Sequence, residues 1–188
     1  MLLSFIPSNN SKPISQPIEE GKEYAPFYRN YMSRAQHLNL LEGLKDEGDR
    51  VLKVFRKIPE EAIDKAYAPG KWTIRQLLQH ITDTERIFAY RACAIARGET
   101  LPIPGYDQDV YSSAELDPTL DIQDMADEFD HLRKASVLLF RGFTQNSLLR
   151  IAEVNGAPIS VRAIGFIMIG HTLHHLDVLE ERYRPLWK

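Results

Sequence analysis

The chain has little of what usually narrows a protein's class. One cysteine, Cys93, stands among 188 residues; an internal disulfide is excluded, and nothing asks for an oxidising compartment. A small apolar thiol among Ala92, Ala94 and Ile95 reads as packing, not reactivity. There is no basic excess. Lysine and arginine total 23 against 26 acidic residues, for a formal net charge of -3, so no reserve of cations exists to neutralise phosphates, and no nucleic-acid partner is expected. The most apolar run, residues 164–170, falls far short of the ~20 residues a helix needs to cross a bilayer, so no membrane association is expected either. The start lacks the basic residues and apolar core of a secretion signal, and the expected location is the cytoplasm. HExxH, a glycine-rich phosphate loop and a nucleophile elbow are all missing. A lone ExxH, Glu128 to His131, is too little for a di-iron bundle, which needs a second such motif and two further glutamates.

What remains is helical pattern. Residues 1–26 carry Pro7, Pro13, Pro17 and Pro26 without apolar period and read as an extended N-terminal arm; residues 27–188 read as one domain. A first helix is expected over 32–58, because Leu41, Leu44, Gly48, Val51, Phe55 and Ile58 recur at steps of three and four. The second has the clearest start: Thr73 and Gln76 form a capping box after Trp72, whose ring is placed to staple onto Leu77. Its stripe is Leu78, Ile81, Glu85, Phe88, Ala92 and Ile95, and Gly98 is a natural stop. Residues 98–118, with Pro102, Pro104 and Pro118, read as a long loop. A third helix is expected over 120–143. Asn155 and Gly156 then mark a tight hairpin turn between short extended segments. Ser160 caps a fourth helix running to about residue 183. The fold class is all-α, a four-helix bundle.

The chemistry concentrates in histidine. His171 and His175 lie one turn apart on the stripe Val161, Ile164, Met168, His171, His175, Leu179, so two imidazoles point into the core, where each needs a partner. A metal ion is such a partner. A third ligand has to come from another helix. His80 in the second helix is the leading candidate. His37 precedes the main stripe of the first helix, His131 sits on a polar flank, and His174 can turn either way. Glu85 occupies a stripe position where an apolar residue is expected. It reads either as an ion pair with an arginine such as Arg182, or as an acceptor for a ligand histidine or a general base. Asp83 is a fallback for that role. Asp107 and Asp109 read as solvated, or as lining the mouth of the site.

The segment from Lys71 and Trp72 through His80 to Glu85 and Arg86 resembles the second-helix signature of the DinB/YfiT-like superfamily. Gly170, His171, His174 and His175 resemble its fourth-helix signature, and residues 106–111, bounded by Tyr106 and Tyr111, resemble its acidic-aromatic crossover. The resemblance spans roughly residues 30–184. It implies a bundle whose long crossover connection joins helices two and three. It implies one divalent transition metal per chain (zinc, nickel or iron) on His80, His171 and His175, and a homodimer. By the same resemblance the activity is that of a metal-dependent enzyme, a transferase using a low-molecular-weight thiol. The alternatives are a metal-dependent hydrolase drawing its nucleophile from water, or a non-catalytic metal-binding or sensing domain.

Overall fold

The computed structural model describes residues 17–114 and 119–187. The expected arm up to residue 16, and the Pro118 end of the long loop, lie outside the described residues.

A single 3-10 turn leads into α1 (Arg29–Ala35), and α2 (Leu40–Phe55) follows. The first helix expected over 32–58 is therefore two. Asn39 breaks it: its side-chain oxygen accepts from the backbone N–H groups of Leu41 and Glu42 at 3.1 and 3.2 Å, and an N-cap of this kind competes with a continuous helix. The stripe itself is buried as expected at Leu44, Gly48, Val51 and Phe55. Helix α3 (Ile74–Arg97) begins with the reciprocal Thr73–Gln76 capping box. Where a loop was expected, a short α4 (Gln108–Ser112) forms, capped by Asp107. Helix α5 (Ile122–Arg141), the single turn α6 (Gln145–Leu148) and a hairpin of β1 (Ile151–Val154) and β2 (Ala157–Ser160) come next. The hairpin pairs Val154 with Ala157 across Asn155 and Gly156, whose φ angles are +51° and +75°, the left-handed conformations this turn demands. Ser160 caps α7 (Val161–Val178), which continues as a π-helical turn, Leu179–Tyr183. Among the described residues no helix is long and apolar enough to cross a membrane.

The four long helices are α2, α3, α5 and α7. Helix α2 packs on α5 and α7, and α3 packs on the same two; α2 thus stands diagonally opposite α3, and α5 opposite α7, while α3 and α5 are neighbours. Helix α1 lies along α7. Residues 161–172 of α7 are buried on every side, because α1, α2 and α3 all cover it.

The core falls into two apolar clusters. One gathers Phe88, Phe140, Ile164 and Ile167; the other gathers Phe55, Leu78, Phe129 and Leu179. Between them runs a buried polar layer: Glu85 on α3, Arg133 and Ser136 on α5, His171, Thr172 and His175 on α7. The described part of the N-terminal arm docks near the start of α7. There the buried Glu23 carboxylate accepts from Arg162, and the Ser160 N–H donates to the Glu23 carbonyl at 2.9 Å.

Candidate metal centre

His80 comes from the second turn of α3, His171 and His175 from the last turns of α7. The Nε2 atoms of His80 and His175 each lie 3.0 Å from Nε2 of His171. All three residues are buried, and together they form a group able to hold a metal ion. His37 and His131 stand exposed, outside the group. His174 is half-buried, its ring 5.6 Å from Tyr31 and 4.9 Å from His175, and supplies no atom to the cluster.

The donor set fits an ion better than it fits a hydrogen-bonded cluster. One Nε2 carries either a proton or an in-plane lone pair. His171 Nε2 therefore cannot make a good hydrogen bond to both neighbours at once. Two nitrogens each ~2.1 Å from a common cation, at roughly 90–110° to one another, lie ~3 Å apart, as these do. The remaining ring nitrogen of His175, Nδ1, is buried without a hydrogen-bond partner.

Burial also keeps the rings in the form a metal needs. The pKa of His80 is pushed down to about 4, by burial first and by His174 second. Those of His171 and His175 lie well below the ordinary 6.5, again chiefly through burial, with the neighbouring histidines adding to it. Neutral imidazoles keep their lone pairs free at neutral pH.

Glu85 lies 3% exposed in the polar layer, but it does not meet an imidazole there. Arg133 Nε and Nη2 donate to its two oxygens at 2.9 Å each. The expectation of a ligand-histidine acceptor or general base is therefore not what the geometry places at this position. The partner is also not Arg182, which is exposed and stacks against Tyr67. Arg133 reaches further: it donates to the Leu44 carbonyl at 2.9 Å and to the Thr172 hydroxyl at 3.0 Å. Gly48 makes room for it, since a Cβ there would sit 2.7 Å from Arg133 Cγ. One ion pair thus ties α2, α3, α5 and α7 together beside His171. Asp83, the fallback, accepts from Gln79 and Arg86 at 3.0 and 3.2 Å and shares a small recess with His80.

The crossover between α3 and α5 covers the site. The hydroxyls of Tyr106 and Thr84 lie 2.9 Å apart, and Gln76 donates to the Ser112 carbonyl at 2.8 Å. Ile103 bridges the hairpin at Val154. Between this crossover, α1 and α3 opens a cleft of about 620 Å³ that reaches His171 and is lined by Tyr28, Tyr31, Phe88, Arg91 and Tyr106 among others. The exposed Asp107 also lines it while capping α4. Tyr31 sets its ring at 82° to that of His171, with centroids 5.5 Å apart. Trp72 packs against the apolar cluster that holds Leu77, and its ring also lies 4.9 Å from that of His80. Reasoning from the sequence missed Arg91, Arg133 and Tyr31. The usable signal was that Arg91 follows His80, Thr84 and Phe88 at steps of three and four on one helix face.

Known proteins share the fold and part of the sequence. A family model described as the DinB superfamily matches residues 32–179. The "putative metal-dependent hydrolase OB0413" of Oceanobacillus iheyensis is 25% identical over 138 residues, 72% of this chain and 79% of that protein. The similarly named YfiT of Bacillus subtilis is 23% identical over 176 residues, 92% of this chain and 96% of its own. The solved structure of YfiT, described as having an unusual four-helix bundle topology, superposes with a TM-score of 0.66 at 19% identity, covering 93% of this chain and 95% of that one. A DinB-like protein of Bacillus subtilis gives 0.58 at 16% identity, covering 79% and 92%. The chain belongs to the DinB superfamily.

Proposed function

We propose that this protein is a metal-dependent enzyme that transfers a small thiol onto an electrophile. One observation carries the reading: three buried imidazole nitrogens converge where the cleft reaches His171, and among the described residues no fourth protein donor joins them. Three protein ligands leave coordination positions open, the arrangement of a catalytic rather than a structural site. Bound there, a divalent ion such as zinc, nickel or iron lowers the pKa of a thiol or water at its open position. The chain's own part is to hold three neutral rings in fixed register. Helix α7 sets two of them one turn apart, the Glu85–Arg133–Thr172 chain braces that helix, and Tyr31 closes over His171. In the transfer, the thiol proton leaves to solvent, sulfur forms the new bond to carbon, and the leaving group departs with its electron pair.

Hydrolysis is the second reading, favoured by the names that the relatives carry. It would be served by a free carboxylate near the rings, and the buried candidate, Glu85, has both oxygens engaged by Arg133. That removes Glu85 from the role, leaving Asp83 beside His80 and Asp107 in the cleft as the carboxylates a hydrolase would use. Incubating the metal-loaded protein with thiol-plus-electrophile pairs, and separately with simple esters and amides, decides the matter. Thiol-dependent product formation is expected. Ester or amide cleavage without thiol would establish the hydrolase instead, and turnover of neither would leave a binding domain.

A further inference from the structure

Four arginines are buried in the described fold: Arg75, Arg91, Arg133 and Arg162. Three of them have a carboxylate within ion-pair distance, supplied by Asp64, Glu85 and Glu23 respectively. Arg91 is the exception. It is 3% exposed, and among the described residues no carboxylate pairs with it. Its guanidinium carbon lies 5.3 Å from the centre of the Phe88 ring and 5.6 Å from that of Tyr106, and its Nη2 donates to the Pro104 carbonyl at 3.1 Å. Those contacts orient the group without neutralising it. A buried cation without an anion is costly. This one lines the same cleft as His171.

The helix places it for use. His80, Thr84, Phe88 and Arg91 follow one another at steps of four, four and three on α3, so they share one face. Arg91 stands roughly 16 Å along the axis from His80, a span that the long side chains on either end shorten. A molecule lying in the cleft can therefore have one end at the histidine cluster and the other at the guanidinium. The rings of Phe88 and Tyr106 would flank its middle.

We propose that Arg91 is a specificity-determining residue: the thiol that occupies the cleft carries a carboxylate, which seats on this guanidinium while its sulfur faces His171. Only the sulfur end rests on the function proposed above. A planar guanidinium matches a carboxylate through two parallel hydrogen bonds, and burial strengthens the attraction.

The test uses mercaptohexanoate and mercaptohexanol, which differ only in the carboxylate. Both are titrated into the cobalt-loaded protein, and the thiolate-to-cobalt absorption band is followed. Wild type should prefer the acid by about tenfold or more, the effect of one charged hydrogen-bonded contact. Arg91→Met should bring the ratio to about one while leaving the alcohol's affinity unchanged, and Arg91→Lys should keep part of the preference. Equal affinities in wild type overturn the proposal. So does an Arg91→Met protein that loses both thiols equally, because Arg91 then merely pins the Pro104 segment. If Arg91→Met does not fold, the Arg91→Lys comparison decides alone: a preference reduced from that of wild type supports the proposal, and a preference identical to that of wild type refutes it. If neither thiol produces the band, the open-position reading fails on its own. Hexanoate against hexanol, measured by calorimetry, then judges Arg91 by the same ratio.

Discussion

At the scale of single residues, the polar layer that splits the core has two jobs: three histidines present lone pairs to one point, and one ion pair holds their helices in place. Breaking a buried pair by removing one charge strands the other, at a cost of roughly 3–5 kcal/mol. Glu85→Gln should therefore lower the unfolding midpoint substantially, yet leave metal affinity unchanged in the folded protein, because neither carboxylate oxygen bonds an imidazole. Thermal melts and metal titrations on the same variant check this; weakened metal binding with unchanged stability would return Glu85 to the metal site. The histidines set a pH dependence. In the unfolded chain they protonate near 6.5, whereas the fold keeps His80 neutral down to about 4 and holds His171 and His175 well below 6.5. The unfolded state thus binds more protons throughout that window. Stability of the metal-free protein should be full above about pH 6.5 and fall as the pH drops toward 4. Urea midpoints at either end measure it, and a flat profile would mean that these rings are not buried. Much of this layer was legible in the sequence, since Glu85, His171 and His175 interrupt apolar stripes. Its pairing was not. Arg133 adjoins Leu132, which fits the apolar period equally well, and one helix's pattern does not name the residue that faces it from another.

Among the elements, α1 shows what periodicity conceals. Leu38 and Leu41 straddle the break at Asn39, so the apolar rhythm continues while the chain changes direction. The change lets α1 run against α7, close enough that a Cβ at Gly170 would lie 2.0 Å from the Tyr31 carbonyl oxygen. Gly170→Ala should force the two helices apart. It should cost about 1–3 kcal/mol, as overpacking in a close interface does, and should loosen Tyr31 from His171. Chemical denaturation reads the first effect; a wild-type midpoint would show that the approach is not tight. Capping residues were the most readable features of all, because Thr73, Gln76 and Ser160 act within a turn of themselves. The short helix at residues 108–112 escaped notice because it sits in a proline-rich crossover and takes its place from contacts with α3.

For the whole molecule, four helices and their connectivity follow from patterns of three and four residues, but not the fact that α2 and α3 stand diagonally opposed. That arrangement places the histidine of α3 beside those of α7. Assembly belongs to this scale. A homodimer is the expectation from the family resemblance alone. Sedimentation at micromolar concentration should give about twice the 21.6 kDa chain mass, and a single 21.6 kDa species throughout would contradict it. The central claim is the three-histidine metal centre, and elemental analysis of the purified protein against its alanine variants tests it most directly. Wild type should carry one divalent transition-metal ion per chain, His171→Ala and His175→Ala should carry none, and His80→Ala should bind it far more weakly. Retention of wild-type metal in all three variants would contradict the account.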